Sequence, residues 1–137
     1  MGDRRKSREL ALQALYFLDV NQTDAERGIQ DFCNQHEEDL SDAVRPFFLD
    51  LVNGVMAEQG HIDGLLDKWA RNWKISRMPA VDRNIMRLAV FEMLRRGDIP
   101  ATVSINEAVE IGKKFGTRDS GPFINGVLDR IRAQEGL

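Results

Sequence analysis

Two histidines, one cysteine and an acidic run come nearest to the chemistry of a catalytic or metal centre in this 137-residue sequence. His36 and His61 stand far apart in acidic, helix-forming surroundings, and neither belongs to a ligand-spaced set of the kind that holds zinc. Cys33 falls on the apolar face of a predicted helix, where a thiol behaves as a small buried hydrophobe rather than a nucleophile. Glu37, Glu38 and Asp39 read as a solvated loop. The glycines are dispersed, and none of their spacings forms a phosphate-binding loop. These residues imply no catalysis, no metal and no cofactor.

A different grouping carries more chemistry. Arg4, Arg5, Lys6 and Arg8 crowd the first turns of a predicted helix, where their mutual repulsion adds to the positive end of the helix dipole. A phosphate backbone would relieve that repulsion and release condensed counterions. On a helical wheel Arg5, Leu12 and Tyr16 share one flank beside the buried stripe. Guanidinium planes and an aromatic ring along one strip can hold unstacked bases of single-stranded RNA. A solvated basic helix end with Tyr16 half-packed is the plainer alternative, and the local pattern leaves both open.

The overall charge of −3 hides a strong asymmetry. Residues 1–18 carry four cations against two carboxylates, residues 19–67 two cations against 12, and residues 68–137 13 cations against eight. Two positive ends around a negative middle suit a local anionic partner on an otherwise repelling body. Hydrophobic content of 42% and charged content of 30% belong to a soluble globular chain. No apolar run approaches the ~18 residues of a membrane span, there is no signal-peptide pattern, and a single cysteine excludes an internal disulfide framework. The expected location is the cytoplasm.

The elements that must position these residues are helical throughout. Leu10, Ala11, Ala14, Leu15 and Leu18 predict a first helix from Asp3 to about Asp19. Thr23 with Glu26 gives a capping box for a second, carrying Ile29, Phe32 and Cys33 inward. Ser41 opens a third, with Pro46 in its first turns and Val44, Phe47, Phe48, Leu51, Val52 and Val55 on its apolar face. Gly60 is placed as the start of a fourth, bearing Ile62, Leu65, Leu66 and Trp69. The pattern lapses over residues 73–79, the best sub-bundle boundary in a single domain spanning 1–137. A long helix then runs from Ala80 to about Arg96, burying Val81, Ile85, Leu88, Ala89 and Met93, and ends at Gly97 before Pro100. Ser104 and Glu107 form another capping box. Asp119 or Ser120 caps the last helix, with Ile124, Val127, Leu128 and Ile131 inside. About seven helices and no strand pattern make the fold class all-α.

Several segments, in order, resemble one family across essentially the whole chain. They are Arg4-Arg5-Lys6-Ser7-Arg8-Glu9 with Ala14-Leu15-Tyr16; Asp50-Leu51-Val52-Asn53-Gly54-Val55 with Ile62-Asp63; RLAVFEML at 87–94; INEAVEIGKKFG at 105–116; Asp119-Ser120; and FINGVLD at 123–129. Together they resemble the NusB transcription-antitermination family. From the residues alone, Asn106 and Glu107 read as caps, Gly116 as a helix terminator, and Asn125 and Gly126 as close helix contacts.

The resemblance implies two packed helical bundles and a non-enzymatic adaptor that binds boxA, a single-stranded RNA element of ribosomal RNA operon transcripts. It implies as partners the ribosomal protein NusE and the RNA polymerase antitermination complex, with relatives that are monomers or homodimers. Carried over by position, Arg4, Arg5, Lys6, Arg8 and Tyr16 would meet RNA, joined by the loop with Gly116, Asp119 and Phe123. Asp82 and Arg83 would face the ribosomal protein. Some relatives have a third arginine where Lys6 stands, and some a basic residue at Gly121-Pro122. A similar helical domain precedes the catalytic domain of certain rRNA cytosine methyltransferases, but the sequence carries neither a cofactor glycine loop nor a catalytic-domain cysteine. A protein-only scaffold is the other alternative.

Overall fold

The computed structural model describes residues 2–22 and 24–137, so Thr23 and the capping box expected there lie outside the described residues. Six α-helices appear in order: α1 (Asp3–Asn21), α2 (Ala25–Gln35), α3 (Arg45–Trp69), α4 (Ala80–Arg95), α5 (Ala101–Phe115) and α6 (Ser120–Glu135). A short 3-10 turn, Ile75–Arg77, lies between α3 and α4. None of the helices is long and apolar enough to cross a membrane.

The predicted apolar stripes build the core. Leu10, Ala11, Ala14, Leu15 and Leu18 of α1 are buried against α3 and α4, and Phe48, Leu51, Val52, Ile62 and Leu66 of α3 are fully enclosed. Truncating an enclosed aromatic such as Phe48 to alanine would cost about 3–5 kcal/mol. Ile124, Val127, Leu128 and Ile131 turn α6 inward against α5 and α4. Two glycines permit close helix approach: a Cβ at Gly54 would overlap the Phe91 ring, and one at Gly112 would lie 2.7 Å from Ile124 Cδ1.

Some local expectations need correction. Six helical spans stand among the described residues where about seven helices are expected, because the division expected at Gly60 is a kink within one span rather than a gap. α3 continues through it and kinks two residues earlier, at Glu58 (φ −116°, ψ 18°). Ser41 is not the first residue of that helix; its carbonyl accepts from the N–H groups of Val44 and Arg45 ahead of the helix start. Asp24 caps α2, accepting from the Arg27 N–H at 3.1 Å. Leu12 belongs to the core, 2% exposed, rather than to the flank with Tyr16. α5 begins at Ala101, so Ser104 and Glu107 lie inside the helix and cap nothing. Asn125 and Gly126 are exposed, and a Cβ at Gly126 would touch nothing within 4 Å.

Candidate nucleic-acid interface

Ion pairs fix the direction of α1 against α4. Arg8, near the start of α1, meets Glu92 near the end of α4, whereas Asp19, near the end of α1, meets Arg83 and Arg87 near the start of α4. The two helices therefore run antiparallel. The cationic start of α1 lies at one end of the molecule, and the start of α4 at the other. The ten residue steps from Asp82 to Glu92 put roughly 15 Å of helix between these ends.

At the first end each of the four cations meets a carboxylate. Arg4 reaches Asp98 at 3.4 Å and Lys6 reaches Asp39 at 3.7 Å, all four side chains being substantially exposed. Arg5 donates through Nε to Glu107 at 2.8 Å and through Nη2 to its other oxygen. The hydrogen-bonded Arg5 guanidinium holds the Glu107 carboxyl below its ordinary value against the opposing pull of desolvation.

Arg8 overturns the expectation of an exposed cation. It is 4% exposed and donates through Nε and Nη2 to the two oxygens of buried Glu92, both at 2.8 Å. Its Nη1 reaches Glu107 at 3.1 Å, and Ser104 Oγ donates to Glu92 at 2.8 Å. One turn of helix brings Arg8 beneath Arg4 and Arg5, where the carboxylates of α4 and α5 enclose it. The Phe47 ring lies under Arg4, Arg8 and Arg96, with guanidinium carbons 5.0–5.2 Å from its centroid. Arg8 therefore positions the helix that displays Arg4, Arg5 and Lys6.

Farther along α1, Glu9 pairs with Lys114 of α5 at 2.8 Å, and Tyr16 stands 42% exposed. Lys114 stands two residues before Gly116, where α5 gives way to the α5–α6 loop. Gly116 ends α5 at φ −95°, an ordinary backbone angle. Glycine is needed there because a side chain would collide with Ser120 Oγ. Ser120 accepts from the Thr117 N–H at 2.9 Å and donates to Asp82 Oδ1 at 2.7 Å. Asp119 is exposed, and Phe123 is half-buried with its ring centroid 6.1 Å from that of Trp73.

The residues expected to face a protein partner are also placed differently from the expectation of exposed charge. Asp82 is 4% exposed, and its burial raises the carboxyl pKa while the Ser120 hydrogen bond opposes the rise. Arg83 donates to Asp19 and to the carbonyls of Ile75 and Met78. Burial pushes the Asp19 carboxyl up, but hydrogen bonds from Arg83 and Asn84 and the charges of Arg83 and Arg87 pull it below its ordinary value. A salt bridge from Arg87 to Asp63 extends this clasp to α3. The supposed protein and RNA surfaces meet here, since Asp82 and Ser120 are directly bonded. A groove lined by Trp73, Pro79, Asp82, Thr117, Asp119 and Phe123 runs over the junction.

Sequence reasoning misses Trp73 as a site residue because it falls where the helical pattern lapses. The available signal is a tryptophan among Arg71, Lys74 and Arg77 in a segment with no apolar stripe to bury it. Elsewhere, His36 stacks on Phe32 and lies 3.7 Å from Asp39. No group of three or more His, Cys, Asp or Glu side chains among the described residues could hold a metal ion.

The site is thus a surface of charged and aromatic side chains on an all-helical scaffold. The model of the NusB family matches residues 5–133, and the chain belongs to that family. A transcription antitermination protein NusB from Desulforapulum autotrophicum is 58% identical over 137 residues, covering 100% of this chain and 96% of its own. One from Acetivibrio thermocellus is 44% identical over 128 residues, covering 93% and 87%. Among solved structures, T. maritima NusB is 34% identical with a TM-score of 0.80, covering 96% of this chain and 91% of its own. A chain in the crystal structure of antitermination factors NusB and NusE in complex with dsRNA is 25% identical with a TM-score of 0.85, and 98% of each chain is covered.

Proposed function

We propose that this chain is a transcription antitermination adaptor, binding boxA-type single-stranded RNA of ribosomal RNA operon transcripts together with the ribosomal protein NusE. It acts in the cytoplasm within the RNA polymerase antitermination complex and binds its RNA without converting it. The observation that carries this reading is the 58% identity, end to end, with an antitermination protein. The solved assembly of NusB and NusE with double-stranded RNA supports NusE and RNA as partners.

On this reading Arg4, Arg5 and Lys6 exchange their carboxylates for phosphates, and Tyr16 offers a ring to a base. Arg8 holds α1 in place beneath them. The loop containing Gly116, Asp119 and Phe123 continues the RNA surface, with Gly116 setting its backbone path. NusE meets the start of α4, where Asp82 and Arg83 hold the contact surface in shape from beneath. The test is a titration with boxA-type and scrambled RNA, each with and without NusE. We expect boxA RNA to bind more tightly and NusE to increase that preference. Equal affinity for both RNAs, unaltered by NusE, would overturn the reading.

A further inference from the structure

The segment joining α3 to α4 gathers cations that no carboxylate answers. Residues 67–77 hold Lys68, Arg71, Lys74 and Arg77 against one acid, Asp67. Asp67 accepts the backbone N–H of Ile75 at 2.7 Å, and Lys68 lies 3.9 Å from Glu135. Arg71, Lys74 and Arg77 are exposed and form no ion pair among the described residues. The same is true of Arg118 in the α5–α6 loop.

Among these charges stands Trp73, 49% exposed, meeting the Phe123 ring at an interplanar angle of 66°. A cleft of about 440 Å³ beside it is bounded by Arg71, Trp73, Phe123, Gly126 and Arg130. Gly126 adds no side chain to its wall. Arg130 is anchored through Nη1 to the Trp69 carbonyl at 2.7 Å.

We infer that Trp73 and the cations Arg71, Lys74 and Arg77 form a second binding surface for single-stranded RNA, flanking the boxA element. An exposed indole beside unanswered cations is the combination that stacks an unpaired base while gripping its backbone. A duplex would keep its base faces stacked away from the indole. A basic protein would be repelled by the same three charges, whereas a polyanion gains counterion release from them. Asp119 borders the groove over Asp82 and not the cleft. Phe123 borders both groove and cleft, which makes the cleft continuous with the α5–α6 loop. This inference rests on the reading of that loop as part of the RNA surface.

The test uses two RNAs: the boxA-type element alone, and the same element lengthened on both sides by roughly 8 unstructured nucleotides. Affinity is measured against salt for the wild type, Trp73→Ala, and the triple variant Arg71→Ala/Lys74→Ala/Arg77→Ala, with helicity and melting recorded for each. On the longer RNA, Trp73→Ala should weaken binding by about 5-fold or more. The triple variant should lower the log–log salt slope by about 0.7 for each phosphate that is no longer neutralised. On the short RNA the triple variant should match the wild type, and Trp73→Ala should lose less affinity than it does on the longer RNA. Unchanged affinity and slope on the longer RNA would overturn the inference. Loss of NusE binding with both RNA affinities intact would assign the cleft to the protein and overturn it as well. A wild type that binds neither RNA would defeat the boxA reading itself, a result distinct from either of these.

Discussion

The cations at the start of α1 and those between α3 and α4 are similar in number and opposite in circumstance. Arg4, Arg5, Lys6 and Arg8 meet Asp98, Glu107, Asp39 and Glu92. Arg71, Lys74 and Arg77 meet no acid among the described residues. On the proposed function, RNA binding at α1 is an exchange of one anion for another, and its net gain is what remains after the carboxylates are released. Binding at the second cluster displaces only counterions. The first cluster is also graded by depth: it passes from half-exposed Arg4 to enclosed Arg8, from a side chain open to a ligand to one that supports the helix.

That gradation is most easily broken at Arg8. Arg8→Ala leaves Glu92 enclosed without its countercharge, a change that costs about 3–5 kcal/mol in buried pairs. Thermal melting should fall by roughly 10 °C in a domain of this size. A melt matching the wild type would show that Arg8 belongs with the exposed cations after all.

Arg5→Ala probes the shallower level. The Arg5–Glu107 pair is partly exposed, and Arg8 still faces Glu107, so stability should fall by no more than about 1 kcal/mol. The salt slope for boxA-type RNA should fall by about 0.7 if Arg5 neutralises one phosphate. A large melting change with an unaltered slope would place Arg5 beside Arg8 as a support.

The smallest effect separates the two ends by pH. Glu107 titrates below its ordinary value, so its contribution to stability is present above the unfolded carboxylate range and is lost as pH falls through the folded value. Asp82 is shifted upward, so its contribution is complete below the unfolded aspartate value and declines as pH rises through the folded one. Asp82→Asn should therefore melt like the wild type in acid and slightly above it near neutrality. A variant less stable than the wild type at neutral pH would mean that the ionised carboxylate is favoured in its place beside Ser120.

The helices are legible in the sequence because their apolar residues recur at helical spacing whichever helix covers them. Leu10 to Leu18 and Ile124 to Ile131 need no knowledge of the partner surface. Polar residues carry no such self-sufficient signal. Ser104 and Glu107 have the three-residue spacing of a capping box, yet they answer Glu92 and the α1 arginines across the molecule. Arg8 reads as exposed because its carboxylates lie 84 and 99 residues away in the chain. Asp82 reads as an accessible first-turn charge because Ser120, 38 residues later, leaves no local sign that it lies above it. Family resemblance nominates a surface, but burial decides which of its residues can touch a ligand.

The long reach of Arg8 also sets an order in time. At synthesis rates of roughly 5–20 residues per second, the 84 residues separating Arg8 from Glu92 take roughly 4–17 s to make. Through that interval α1 exists without the α4 carboxylate that encloses its deepest arginine and without the α4 surface that covers part of its apolar stripe. The helix made first is thus among the last to be locked. A chain truncated before Glu92 would carry Arg8 without either of its carboxylates and would present an uncovered amphipathic helix to the cell's quality control.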